Sequence, residues 1–93
     1  MVELSDVVHR RAEVTVRKTP SGALLIDLTT GRCWQLNRLG ADFLLQIEAE
    51  RPLGDVCDSL GSNYDVSPDI LQRDLLRLAT ELLDAGLIER SGG

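Results

Sequence analysis

The sequence contains few of the residues from which most enzyme sites are built. Its 93 residues include one histidine, His9, and two cysteines, Cys33 and Cys57. A structural zinc site needs four ligands at recognisable spacing, so these three residues fall short of one. No glycine-rich phosphate-binding loop occurs either. We therefore predict a protein without catalytic residues, metal or cofactor.

Long hydrophobic runs are missing as well. No segment approaches the roughly 20 apolar residues of a membrane span, and the first 11 residues lack the apolar stretch of a signal peptide. Two thiols in a chain without an export signal are typical of a reducing compartment. The expected localisation is cytoplasmic, with no membrane partner.

Charge argues against a nucleic-acid partner. Fifteen acidic and ten basic residues give a net charge of −5. Nucleic-acid binding depends on neutralising phosphates with lysine and arginine, so an acidic domain is poorly suited to it.

Alternating and helical hydrophobic patterns divide the chain into strands followed by helices. We expect a flexible segment at 1–11, which includes an ordinary exposed His9, one domain at 12–90, and a tail at 91–93. Period-two alternation begins at residue 12, and further strands are predicted at 23–28 and 33–36. Turns fall at 19–22 and 29–32. If Gly31 is left-handed, Leu28 faces Trp34 and Ile26 faces Leu36 across the second hairpin.

Three helices follow in the pattern. Asn37 is the expected N-cap of the first, which runs to about Glu50. The second covers 53–60, and the third starts with Ser67 as its cap and Pro68 in its first turn, and ends before Gly86. A short strand is possible at 86–90. The predicted fold is α+β: a winged helix-turn-helix-like, three-stranded antiparallel sheet followed by three helices.

The third predicted strand is the candidate binding element. It ends a meander, so one edge carries unpaired backbone groups, and its side chains include no lysine or proline that would block pairing. A peptide strand can add to such an edge, and the third helix can form the opposite wall. The candidate peptide-binding residues are Cys33, Trp34, Gln35 and Leu36 on the strand and Asp69, Gln72, Arg73, Leu76 and Arg77 on the helix.

Several of these residues have a second interpretation. Leu76, with Leu83, widens the apolar stripe of the helix and either lines the groove or packs into the core. Arg73 and Arg77 either form a charged rim or are ordinary surface cations. Trp34 is favoured as a core residue, whereas Gln35 points away from the core.

The ordered combination of an apolar run with Asp27, then Thr30-Gly31-Arg32, Trp34 and Leu36-Asn37 resembles the PqqD family. The resemblance extends from about Ala12 to Arg90. Cys33 departs from it, because many relatives have an aromatic residue there. The resemblance implies a winged-helix-like recognition element for ribosomally made, post-translationally modified peptides. Such a domain binds the leader of the precursor as an extra strand on strand three, beside helix three.

A free-standing domain of this length further resembles the recognition protein of split lasso-peptide systems. That resemblance implies two protein partners: a leader peptidase of the cysteine-protease type and an ATP-dependent, macrolactam-forming cyclase. Two alternatives remain open. One is a recognition protein of a radical-SAM or pyrroloquinoline quinone-type pathway, which would share the fold. The other is a winged helix-turn-helix DNA-binding regulator, because residues 84–90 resemble the end of such domains.

Overall fold

A computed structural model describes residues 2–91 of the chain. The elements, in chain order, are β1 (Val8–Arg10), β2 (Val14–Thr19), β3 (Gly22–Asp27), β4 (Cys33–Asn37), α1 (Arg38–Ile47), α2 (Leu53–Gly61), α3 (Pro68–Asp84) and β5 (Ile88–Arg90). The predicted α+β fold, with a three-stranded antiparallel sheet and three helices, is confirmed. Most of the predicted tail, residues 92–93, lies outside the described residues.

The sheet has the order β2-β3-β4, so the apolar second predicted strand is central. Its register differs from the prediction, because Leu25 pairs with Trp34 and Ala23 pairs with Leu36. The backbone hydrogen bonds of Asp27 explain this difference in register. Its amide donates to the carbonyl of Arg32 (2.9 Å) and its carbonyl accepts from Gly31 (2.7 Å), which closes the hairpin one residue before Leu28. Leu28 therefore lies in the loop and is 68% exposed.

Two glycines shape the hairpins for different reasons. Gly31 adopts the expected left-handed conformation, with φ of 77°. Gly22 is not left-handed but lacks room for a side chain, since a Cβ there would lie 1.9 Å from the carbonyl oxygen of Leu36. Gly22 therefore permits the close approach of β3 to the end of β4.

The helices begin and end near their predicted positions. The Asn37 side chain accepts a hydrogen bond from the Gly40 amide (2.9 Å), which confirms the cap of α1. That helix ends at Ile47, earlier than expected, and Glu50 has a positive φ of 54° before Pro52. At α3, Ser67 occupies the N-cap position but its side chain makes no capping bond, contrary to the prediction.

The N-terminal segment is more structured than the sequence indicated. β1 pairs with β5 in a second, two-stranded sheet, and Val2 and Val8 are buried. The carbonyls of Leu4 and Asp6 accept hydrogen bonds from the first amides of α2 (2.9 Å each), which have no partner inside that helix. These contacts join residues more than 40 positions apart, so local patterns did not reveal them.

The core is mainly aliphatic and lies between the three-stranded sheet and the helices. It contains the buried residues Val14, Leu25, Phe43, Leu44, Ile47, Leu53, Val56, Leu60, Leu71, Leu75, Ala79, Leu82, Leu87 and Ile88, among others. None of the helices in residues 2–91 is long and apolar enough to cross a membrane.

Candidate functional site

β4 is an outer strand of the sheet, and its far edge has no strand partner within residues 2–91. Asp27 and Arg32 form a hydrogen-bonded pair, and such pairs alternate along an antiparallel ladder. Trp34 and Leu36 therefore direct their backbone groups toward β3. The backbone groups of Cys33 and Gln35 point outward, where a guest strand would pair with them.

Side chains on β4 alternate between the two faces of the sheet. Trp34 and Leu36 are half-buried and pack against the hydrophobic core, while Cys33 and Gln35 are exposed on the opposite face. The guanidinium carbon of Arg32 lies 4.9 Å from the Trp34 ring centroid, a cation–π geometry. The predicted orientation of Gln35 and the core-facing interpretation of Trp34 are both confirmed.

A cleft of about 320 Å³ lies where β4 passes into α1, with α3 as its opposite wall. One wall, from the end of β4 and the start of α1, consists of Asn37, Leu39 and Gly40. The opposite wall, from α3, consists of Asp74, Arg77, Leu78 and Glu81. Leu39 and Leu78 give it apolar walls, and three charged residues stand along the helix. A peptide lying along β4 would pass directly beside this cleft.

One face of α3 forms the cleft wall. Arg77 and Leu78 each lie three or four residues from both Asp74 and Glu81, so the four residues share that face. Ile70, one turn before Asp74, is an apolar residue on the same face and is 45% exposed. Apart from Arg77, none of these residues was predicted, although their spacing from Arg77 in the sequence would have indicated them.

The other residues predicted on α3 lie elsewhere. Asp69 is exposed, and Arg73 is 66% exposed, with its Nε 3.9 Å from a carboxylate oxygen of Asp74. Gln72 lines a separate hollow beside α2. Leu76 packs against the hydrophobic core, about half a helical turn away from Leu78. The structure thus places Arg77 on the α3 wall of the cleft but does not bring Gln72 and Leu76 to the cleft.

Charge in the cleft is mixed. Arg77 makes no ion pair with any of the described residues, whereas Asp74 and Glu81 flank it on the same helical face. Across residues 2–91, no three histidine, cysteine, aspartate or glutamate side chains are grouped so that they could hold a metal ion. The lining of the cleft offers apolar contact and charge recognition, and the neighbouring edge of β4 offers backbone pairing.

His9 is not the isolated side chain that its position in the sequence indicated. Its Nδ1 lies 2.6 Å from the Ser91 hydroxyl and its Nε2 lies 2.7 Å from Glu89. These partners are the reverse of those in a hydrolase triad, where Nε2 faces the serine and Nδ1 faces the carboxylate, and none of the three residues lines the cleft. His9 and Glu89 are directly opposed on β1 and β5, so the contacts join the two terminal strands.

The two thiols occupy different environments. Cys33 is free and exposed on β4, while Cys57 is free and half-buried in α2. Burial, followed by the nearby charge of Asp58, raises the pKa of the Cys57 thiol. Cys57 packs against the hydrophobic core, whereas Cys33 is not among the described residues that do so.

Several known proteins resemble this chain in sequence and fold. Residues 22–88 match the family described as coenzyme PQQ synthesis protein D (PqqD). No curated protein matches the sequence. A solved lasso peptide synthetase B1 complexed with the leader peptide is 30% identical, with a TM-score of 0.80 over 89% of this chain and 98% of that one. TbiB1 in complex with the TbiA(beta) leader peptide is 20% identical and shares the fold, with a TM-score of 0.78 over 91% and 96% of the two chains.

Proposed function

Because this chain belongs to the PqqD family, we propose that it binds the leader segment of a ribosomally made precursor peptide. The leader adds as a strand to the free edge of β4. Its side chains on the core side of the sheet enter the cleft beside α3. The observation that carries this proposal is the free β4 edge bordered by a partly apolar cleft of about 320 Å³.

The backbone of β4 supports this binding mode. Cys33 and Gln35 direct both amide and carbonyl outward, so a guest strand gains main-chain hydrogen bonds whatever its sequence. Side chains of the guest that alternate onto the core face meet Leu39 and Leu78, and specificity comes from that contact. Arg77 is the cation available to a leader carboxylate.

The domain acts as an adaptor in this proposal, without turnover of its own. It presents the bound leader to a leader peptidase of the cysteine-protease type and to an ATP-dependent, macrolactam-forming cyclase. Similarity to a lasso peptide synthetase B1 over nearly the whole chain favours lasso-peptide maturation. The family description favours a second candidate pathway, the synthesis of coenzyme PQQ, in which the same binding mode would serve another precursor.

A binding experiment with the isolated domain tests the proposal. A candidate precursor is sought in the genome that encodes this protein, and its leader is labelled with fluorescein and titrated with the domain, without nucleotide or metal. We expect saturable binding. Hydrogen exchange measured on the complex should show new protection at the amides of Cys33 and Gln35. Saturable binding without protection of those two amides would contradict strand addition, and the absence of binding would contradict leader recognition altogether.

A further inference from the structure

The three-stranded sheet has an outer face, which points away from the hydrophobic core. β3 places Leu24 and Ile26 on that face, because Ala23 and Leu25, which alternate with them, are buried on the core side. Leu24 and Ile26 are half-buried, and they are not among the described residues that pack against the core. Two large apolar side chains therefore lie in the middle of a sheet face that the core does not cover.

The two apolar residues have different neighbours on β4. Ile26 is paired with Cys33, and Leu24 is paired with Gln35. Because the backbone groups of Cys33 point outward, the Cα atoms of Ile26 and Cys33 are expected to be about 4.5 Å apart, the spacing that brings side chains close together. Cys33 is small and exposed, so the Ile26 side chain is accessible across it from the free edge of β4. The longer Gln35 side chain stands between Leu24 and the same edge.

A leader strand on β4 would extend this outer face by one strand. Side chains alternate along a strand, so every second leader residue points to the outer face, and in an antiparallel pairing one of them lies directly opposite Cys33. Its Cα would be about 5.5 Å from that of Cys33 and about 10 Å from that of Ile26. An aromatic or long aliphatic side chain can span this distance over the small Cys33, and the contact removes apolar surface of both residues from water.

The charge on the outer face favours the leader over a second copy of this chain as the occupant. The three strands place one charged side chain there, Arg17 on β2, and no carboxylate. Two such faces packed together would remove Arg17 from water without a counter-ion, which is costly. A leader on β4 lies three strand spacings from β2, or about 14 Å, and leaves Arg17 in water.

We propose that the leader is recognised on both faces of the sheet, through a large apolar residue opposite Cys33 that packs on Cys33 and Ile26. This inference rests on the proposed function above and adds a second requirement to the leader sequence. The leader residue opposite Gln35 is under no such requirement, because the Gln35 side chain separates it from Leu24. Leader residues that enter the cleft thus alternate with one apolar residue on the outer face.

The test uses the full chain and the fluorescein-labelled leader of the binding experiment above, with each leader residue replaced in turn by alanine. Ile26→Thr keeps a β-branched residue in the strand but removes apolar contact surface. Cys33→Glu, a second variant, places a charge beneath the same leader residue. Leu28→Thr is the matched control, because Leu28 is 68% exposed and its amide donates to the carbonyl of Glu13, just before β2 (2.9 Å). Circular dichroism confirms that each variant is folded.

We expect alanine at one outer-face position of the leader, an odd number of residues from those that enter the cleft, to weaken binding to the wild type about tenfold. Ile26→Thr should weaken binding of the intact leader about fivefold, and Cys33→Glu by about as much. In Ile26→Thr the effect of that leader alanine should shrink to about twofold, because the two changes remove the same contact. Leu28→Thr should leave both affinities unchanged.

Unchanged leader affinity in Ile26→Thr and Cys33→Glu, or an alanine effect that Ile26→Thr does not reduce, would overturn the inference while leaving leader recognition intact. A wild-type dimer in analytical ultracentrifugation that Ile26→Thr dissociates would also overturn it, since a second copy would then cover the outer face. The absence of leader binding in the wild type would instead defeat the proposed function.

Discussion

β2 and β4 are the two outer strands of one sheet, but their free edges differ in charge and in covering. Each strand alternates between backbone groups that face β3 and groups that face outward. On β4 the outward-facing backbone groups belong to Cys33 and Gln35, and neither residue has a charged side chain. On β2, Lys18 is an outward position and Arg10 covers the carbonyl of Val14. Side-chain chemistry, and not strand geometry, distinguishes the edges.

The helix beside each edge adds to this difference. α1 packs against both β3 and β4, while α3 packs mainly against α2 and β5. A cleft remains between α3 and the junction of β4 with α1, with charged residues on its α3 wall. A larger hollow, of about 450 Å³, lies between β2 and α1. The helical layer thus leaves open space beside both outer strands of the sheet.

The largest expected effect comes from removing an outward-pointing amide on β4. Gln35→Pro deletes the amide and leaves a leader carbonyl without a donor, at a cost of about 2–3 kcal/mol, or roughly 30- to 150-fold in the dissociation constant. The ladder to β3 keeps its hydrogen bonds, because Gln35 does not contribute to it. Fluorescence anisotropy with the labelled leader measures the change.

Lys18→Pro is the matched control, since Lys18 occupies the equivalent outward position on β2. Leader affinity should stay within about twofold of wild type, a change well below 1 kcal/mol. If proline weakens leader binding equally at both positions, the two edges are not functionally distinct and the leader does not pair specifically with β4.

The two outer strands could be predicted from the sequence, because local alternation and turn residues indicate the meander. The register in which the strands pair could not be predicted in this way. The sequence of residues 29–32 is compatible with more than one loop conformation. The hydrogen bonds of Asp27 stabilise the observed one, and they include a bond from the Thr29 amide to the Asp27 side chain (2.8 Å). A shift of this kind moves Leu25 to the core face in place of Ile26.

Non-local packing explains the remaining differences. The pairing of β1 with β5 joins residues near opposite ends of the chain, and neither three-residue strand has a periodicity long enough to identify it. On α3, apolar residues occur on more than one face, and helical spacing placed Leu78 in the central stripe and Leu76 on the apolar flank assigned to the groove. The orientation of the helix relative to α1 and α2 determines which face borders the cleft, and this depends on the whole core.

The next largest expected effect on leader binding comes from reversing the charge of Arg77 in the cleft. Arg77→Glu should weaken leader binding about fivefold to tenfold, because Arg77 borders the cleft without an ion-pair partner among the described residues. Isothermal titration calorimetry at two salt concentrations measures the loss of leader affinity and the extent to which salt screens it. Arg73→Glu, one turn earlier and 66% exposed, should change affinity by less than about twofold. Tighter binding in Arg77→Glu would mean that the leader presents a basic residue there.

A smaller effect is expected from the junction that holds the end of β4 against the start of α1. Asn37→Ala removes the hydrogen bond to the Gly40 amide and should lower the free energy of unfolding by about 1 kcal/mol. Urea denaturation followed by circular dichroism measures it. Asn63→Ala is a suitable comparison because Asn63 is exposed in the loop after α2, and its stability should match wild type. Equal stability of both variants would show that the cap does not fix this junction.

The smallest expected effect is a change in the reactivity of the Cys33 thiol on β4, with the Cys57 thiol as the reference. Cys33 is exposed on the strand, whereas burial raises the pKa of Cys57 and so lowers its thiolate fraction at a given pH. Iodoacetamide should therefore modify Cys33 first, and Cys57 should need a higher pH because the thiolate is the reactive form. Adding the leader should slow modification of Cys33 and leave Cys57 unchanged, as followed by mass spectrometry of the digested protein. If the leader protects Cys57 instead, it lies against α2 and not along β4, and the contrast between the two sheet edges no longer explains where the leader binds.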